Sequence, residues 1–130
     1  MAKVSFTIPG DPIPYTRMTQ GQVAMMRIPD SRIRSGASLK VKRRIQRYLG
    51  YKDLALLLSR QCEFDRHPEK KAFLNVVCFF RNRSHGDPEN IRKGIQDAIY
   101  DQDKMVAGSV DFFYDAENPR CEVEIVESEA

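Results

Sequence analysis

The chain has 130 residues, 42% of them hydrophobic and 30% charged, with a formal net charge of +3. That is room for one domain with its own hydrophobic core and too little for two of ordinary size. No apolar run approaches the roughly 18 residues of a membrane span, and the N-terminal Met-Ala-Lys-Val-Ser-Phe lacks the apolar stretch of a secretory signal, so a cytoplasmic protein with no membrane partner is expected.

In chain order, Lys3-Val4-Ser5-Phe6-Thr7-Ile8 alternates with period two and reads as a half-buried strand that Pro9-Gly10 ends. Pro9, Pro12 and Pro14 hold an extended loop carrying Tyr15 and Arg17, and the segment from there to Pro29 reads as loop with room for a short strand, Met25 and Met26 being partly buried. A helical pattern starts near Ser38 with Leu39, Val41, Ile45, Leu49, Leu54, Leu57 and Leu58, and Gly50 is where it would break. Residues 72–80, Ala-Phe-Leu-Asn-Val-Val-Cys-Phe-Phe, are β-branched and aromatic and predict a central, buried strand with Cys78 in the core. In Asp87-Pro88-Glu89-Asn90, Asp87 suits a helix cap, Pro88 the first helical position and Glu89 the positive end of the dipole. Ile91, Ile95, Ala98 and Ile99 then form the buried stripe of a helix ending near Tyr100. Strands over 105–114 and 120–127 follow, joined by a turn at Ala-Glu-Asn-Pro. This order predicts one α+β domain, a mixed sheet with helices packed on it.

Charge is unevenly placed. Residues 1–60 hold twelve Lys/Arg against three Asp/Glu, and residues 101–130 hold two against nine. The run Arg32, Arg34, Lys40, Lys42, Arg43, Arg44 and Arg47 would attract a phosphate polyanion, or else be a solvated helix face. The odd number of cysteines, Cys62, Cys78 and Cys121, the lack of a C-x-x-C pair, and the separation of His67 from His85 argue against disulfides and against a His/Cys metal site.

Carboxylates are the better candidates. Asp87 and Glu89 stand at the mouth of one helix and Asp103 follows its end. Three carboxylates brought together repel one another unless a divalent cation neutralises them, and hard oxygens suit Mg²⁺ or Mn²⁺. A helix of about fourteen residues is roughly 20 Å long, so Asp103 can join the other two only if the chain doubles back. The plainer reading makes Asp87 a cap, Glu89 a dipole partner and Asp103 a loop carboxylate.

Asp87-Pro88-Glu89-Asn90, with Lys93 three residues after Asn90 and Asp97-Ala98-Ile99 beyond, resembles the Asp-x-Asp-Asn motif of the RusA family of Holliday junction resolvases and the Lys and Asp that follow it. Tyr100 to Val106 resembles the family's Asp-rich element, Gly10-Asp-Pro-Ile-Pro14 with Arg17 its Gly-x-Pro-x-Pro and nearby Arg, and Pro119 to Ile125 its last strand. Glu replaces the second Asp, and the connection from Asp97 to Asp103 is about four residues shorter than in the family, which makes Asp101 a rival to Asp103. The resemblance implies a RusA-like fold, Asp87, Glu89 and Asp103 as Mg²⁺ ligands with Mn²⁺ as a substitute, and Lys93 as a catalytic residue at the scissile phosphate. It implies metal-activated water as the attacking group, four-way DNA junctions as substrate in recombination and repair, and a homodimer that cuts two strands symmetrically. Arg17, Arg43, Arg44, Arg47, Arg81, Arg83 and Lys93 are the candidates for binding DNA phosphates, while Tyr15 could stack on a base or pack in its loop. A flap or single-strand nuclease with the same triad, and a non-catalytic DNA-binding module, are the alternatives.

Overall fold

Every second side chain of strand β2 (Ala72–Phe80), namely Ala72, Leu74, Val76, Cys78 and Phe80, is buried, and both edges of the strand are paired. β2 is therefore central, as its composition predicts. The chain, seen in a computed structural model, is described over residues 2–62, 70–100 and 106–128. β5 (Arg120–Glu127) lies antiparallel to β2 and to β1 (Ala2–Pro9). On the opposite edge of β2 run β3 (Val106–Ala107) and β4 (Val110–Tyr114), both parallel to it. Parallel neighbours require a crossover, and helix α3 (Pro88–Tyr100) supplies it. The fold is α+β, a mixed sheet with helices on one face.

That face holds a contiguous core. Ile8 of β1, the inward residues of β2, and Cys121, Val123 and Ile125 of β5 meet Ile91, Ile95, Ile99 and Tyr100 of α3 and Tyr51 and Ala55 of α2 (Gly36–Gln61). Cys78 and Cys121 face each other across β2 and β5 as buried free thiols, Sγ to Sγ 3.8 Å. No helix among the described residues is long and apolar enough to cross a membrane.

Three expectations need correction. Helix α2 runs unbroken through Gly50, starting at the Ser35 cap. One glycine costs about 1 kcal/mol in a helix interior, which burial of Tyr48 and Tyr51 on either side outweighs. The segment before Pro29 holds a short helix, α1 (Gln20–Met25), rather than a strand. Its signal is the box at Thr19, whose hydroxyl accepts from the Gln22 amide while the Gln22 side chain accepts from the Thr19 amide. A 3-10 turn at Asp30–Arg32 follows. Finally, the strand expected over 105–114 is interrupted at Gly108-Ser109.

The interruption keeps register, since Val106 opposes Ala72 and Val110 opposes Val76. Within the gap the Asn75 side chain accepts from the Ser109 amide at 3.0 Å and hydroxyl at 3.1 Å, and the Val76 amide donates to the Ser109 carbonyl. Gly108 has φ of +152°, and a Cβ there would lie 2.0 Å from the Leu74 carbonyl oxygen. Gly108→Ala must shift the edge strand, and we expect it to lower unfolding free energy by at least about 2 kcal/mol; a urea titration giving a midpoint equal to wild type would show that the gap tolerates a side chain.

Candidate metal and nucleic-acid site

The polar loop after β2 folds back on the strand's end. His85, three residues before Pro88, stacks on Phe80 with ring centroids 3.7 Å apart and planes 4° apart, and its Nε2 lies 3.1 Å from the Tyr114 hydroxyl. The imidazole is thus a cover for the core. Asp87 then starts α3 as a cap: its Oδ1 accepts from the Glu89 amide at 3.0 Å and its carbonyl from the Ile91 amide at 3.1 Å. Its other carboxylate oxygen has no hydrogen-bond partner among the described residues. Glu89, also exposed, places Oε1 3.5 Å from Nη1 of Arg92. The simple Glu89–Lys93 ion pair does not form. Lys93 instead lies over the Tyr15 ring, its Nζ 4.8 Å from the centroid.

What holds Tyr15 there is the proline-rich loop after β1. The Tyr15 amide donates to the Asn90 carbonyl in the first turn of α3. Gly86 and Gly94 make the close approach: a Cβ on Gly86 would meet the Pro14 ring at 2.9 Å, and one on Gly94 would meet the Tyr48 ring at 3.1 Å. Tyr15 packs edge-on against Tyr48 of α2, centroids 5.5 Å apart, so it is a packing residue in its loop. Tyr48 in turn reaches Asp97 of α3, which Lys52 binds at 2.8 Å. Burial, with the nearby Asp97 carboxylate, pushes the Tyr48 phenol pKa up, so it stays a neutral donor.

Arg43, Arg44 and Arg47 are all exposed on α2, and Arg44 precedes Tyr48, whose edge-on contact with Tyr15 links α2 to the ring that Lys93 of α3 lies over, by one turn. Arg17 and Arg83 are also exposed, while Arg81 is exposed but pairs with Asp11 at 3.3 Å. Lys42 leaves the basic run. It is 4% exposed, donates to the Ile28 carbonyl and pairs with Asp30 at 2.8 Å, fastening the 3-10 turn to α2. The hydrogen bond from Lys42 holds the Asp30 carboxyl below its ordinary pKa. Arg43 lies 3.9 Å from the same carboxylate.

Of the three carboxylates, Asp87 and Glu89 therefore share the first turn of α3. Asp103, with its rival Asp101, lies outside the described residues, which resume at Val106 beside Ala72. Among the described residues no three His, Cys, Asp or Glu side chains cluster closely enough to hold an ion. The donor chemistry of Asp87 and Glu89 nevertheless fits Mg²⁺, which is often bound by one or two carboxylates with waters and substrate phosphate completing its shell.

Arg92 is absent from the sequence-derived site. It is 7% exposed; Nε donates to the Leu74 carbonyl at 2.9 Å, in the gap where the edge strand offers no amide, and Nη1 faces Glu89. Nη2 has no partner among the described residues. Its position is legible afterwards: residues 88, 92, 95 and 99 share one helix face, and Arg92 is the cation on that inward face. Arg92→Met leaves the Leu74 carbonyl buried without a donor, for which we expect a loss of about 1–3 kcal/mol in a denaturant titration; a loss under about 0.5 kcal/mol would mean that the gap closes by itself.

No protein-family model and no curated protein matches the chain.

Proposed function

We propose that the protein is a Mg²⁺-dependent, structure-specific endodeoxyribonuclease that nicks four-way DNA junctions, similar to the RusA family, and that it works as a cytoplasmic homodimer. One observation carries this reading. Two exposed carboxylates, each with an oxygen to spare, stand on the first turn of α3, where the neighbouring side chains along the chain and across the helix pair are cationic. An acidic pair beside a phosphate-attracting surface repels the DNA that the surface recruits, unless a cation joins the two. Asp87 and Glu89 would hold that ion, Mg²⁺ or Mn²⁺, which when bound supplies charge neutralisation and a water of lowered pKa.

The chain's own residues would do the rest. Lys93, kept one turn from Glu89 and off its carboxylate by the Tyr15 ring, offers its ammonium to the scissile phosphate. Arg17, Arg81 and Arg83, exposed in the loops after β1 and before α3, would position the DNA backbone, and Arg43, Arg44 and Arg47 would extend that contact along α2. The cap made by Asp87 favours a second reading, a DNA-binding module whose carboxylates are structural.

Asp87→Asn separates the two. Asparagine caps a helix nearly as well, so stability should stay within about 0.5 kcal/mol of wild type. Junction nicking in Mg²⁺ should nonetheless disappear while binding in metal-free buffer persists; a variant that cuts normally would leave only the structural role. Lys93→Ala should cut orders of magnitude more slowly at unchanged stability. Paired symmetric nicks in a mobile junction support resolution, whereas cleavage of any overhang points to a flap or single-strand nuclease. Comparing Asp101→Asn with Asp103→Asn assigns the third ligand.

Charge reversal of Arg43 and Arg44 should weaken junction binding and flatten its salt dependence, because fewer counterions are released. If the slope of log K against log salt is unchanged, α2 carries only a solvated face.

A further inference from the structure

β4 carries three aromatic residues in a row, and two of them turn to the helix side of the sheet. Opposed positions of paired strands send their side chains to the same side. Phe112 stands opposite Cys78 and Tyr114 opposite Phe80, both of which are buried beneath the helices. Phe112 is nevertheless 45% and Tyr114 50% exposed. His85 completes a triangle of rings, its centroid 5.8 Å from that of Phe112 and 5.7 Å from that of Tyr114, with both planes tilted 51° to its own. It too is exposed, although Phe80 covers one face of the imidazole. Residues 63–69 and 101–105 lead into Lys70 and Val106, at the Ala72 end of β2, whereas the three rings stand at its Phe80 end.

The rings are held in place. His85 Nδ1 lies 2.7 Å from the Gly86 carbonyl oxygen and Nε2 3.1 Å from the Tyr114 hydroxyl, so both nitrogens are engaged and two of the three rings are tied together. A fixed platform loses little freedom on taking a ligand. Two residues separate His85 from Asp87, so their Cα atoms are no more than about 7 Å apart, and a strand whose phosphate sits at the Asp87–Glu89 pair brings its next bases to the rings. Of the charges flanking the rings, Asp115 is held by Arg120 at 2.9 Å, and Asp111, opposite Val77, points to the other face of the sheet. Arg81 pairs with Asp11, and Arg83 has no carboxylate within 4.0 Å among the described residues. Apart from Asp87 and Glu89, the unpaired charge beside the rings is therefore positive, which favours a polyanion there.

We propose that His85, Phe112 and Tyr114 are a stacking site for an unpaired nucleobase, the one next to the phosphate held at the first turn of α3. The inference rests on the proposed reading that this end of the molecule binds DNA. It adds a means of choosing among DNA shapes. Cations and a metal recognise phosphate, which every duplex carries. Exposed rings take a base by its π-face, which a paired base inside a duplex keeps against its neighbours and a base at a branch point can present.

Photocrosslinking of the wild-type protein tests this without reference to cutting. A four-way junction carrying 5-iododeoxyuridine at the branch point is bound in metal-free buffer and irradiated, and the crosslinked peptide should contain His85, Phe112 or Tyr114. Crosslinks confined to other residues, Tyr15 among them, overturn the site. By fluorescence anisotropy, Phe112→Ala and Tyr114→Ala should each weaken junction binding at least about fivefold. Binding to a linear duplex, and the slope of log K against log salt, should stay as in wild type, because lost stacking changes no counterion release. Phe112→Trp should bind the junction as wild type does. Variants with wild-type circular dichroism that hold the junction within about twofold of wild type, or that lose duplex binding to the same extent, also overturn the site; if neither truncation folds, the crosslink decides. Junction nicking by a wild type that never crosslinks at the rings leaves the nuclease reading standing, and crosslinks at the rings of a protein that never nicks leave the base site standing. A wild type that binds no junction overturns both.

Discussion

Everything else in this fold is arranged around a strand that is satisfied on both edges. β2 pairs with β5 from Ala72 to Phe79 and with β3 and β4 on the other side, so its backbone groups are largely used up in the sheet, except where the edge strand is interrupted. At that interruption Arg92 of α3 supplies the missing donor to Leu74. The consequence reaches the candidate site. Because Arg92 is held by the sheet, the first turns of α3 are tied to β2 by a hydrogen bond as well as by Ile91 and Ile95, and Glu89 faces a guanidinium that cannot swing away. A buried cation is costly to place. Its partial return is a fixed start for the helix that carries both carboxylates.

The second constraint is the loop after β1, which reaches α3 only because two positions lack a side chain. Gly86 admits the Pro14 ring and Gly94 admits Tyr15 and Tyr48. The prolines give that loop little freedom to lose, so docking it costs less entropy than docking a flexible segment would. From this contact follow the placement of Lys93 over Tyr15 and the link from Tyr15 to Tyr48 of α2. Lys93 consequently keeps its charge away from Glu89, the partner it would have taken on an isolated helix.

Much of the fold was legible because its signals are local. The alternation in β1, the β-branched run of β2, and the cap, proline and apolar stripe of α3 each act over a few residues, and the elements lie where those residues put them. Helix α1 was missed because its capping box, Thr19 with Gln22, precedes a segment with no apolar stripe and no buried side chain. Gly50 looked like a break because intrinsic propensity says so, and the tyrosines on either side of it overrule that. Lys42 looked like surface charge because its partner, Asp30, is reached only when the 3-10 turn folds against α2. Arg92 is the same kind of case, since the carbonyl it satisfies lies 18 residues back in another element. At the site, Asp87 and Glu89 could be placed from the helix start alone, but no local pattern says which way a lysine will turn, and Lys93 turned to an aromatic ring.

The two sides of the sheet differ in a way that bears on function. On the helix side, Arg43, Arg44, Arg47, Arg17, Arg83 and Lys93 are exposed, and of these Arg43 alone has a carboxylate within 4.0 Å among the described residues. On the open side, Lys3 and Arg120 pair with Glu124, Glu122 and Asp115, and Phe73 and Phe113 are half exposed. The chain therefore does not carry its net charge of +3 as a uniform coat. Unspent positive charge on one side sets up a directional field, which orients a polyanion before contact. Neutralised charge around apolar rings on the other side gives no such steering and instead rewards dehydration, which acts only at contact. A division of this sort needs the sheet between the two, because only an element with two separate faces can hold opposite physical demands a single strand apart.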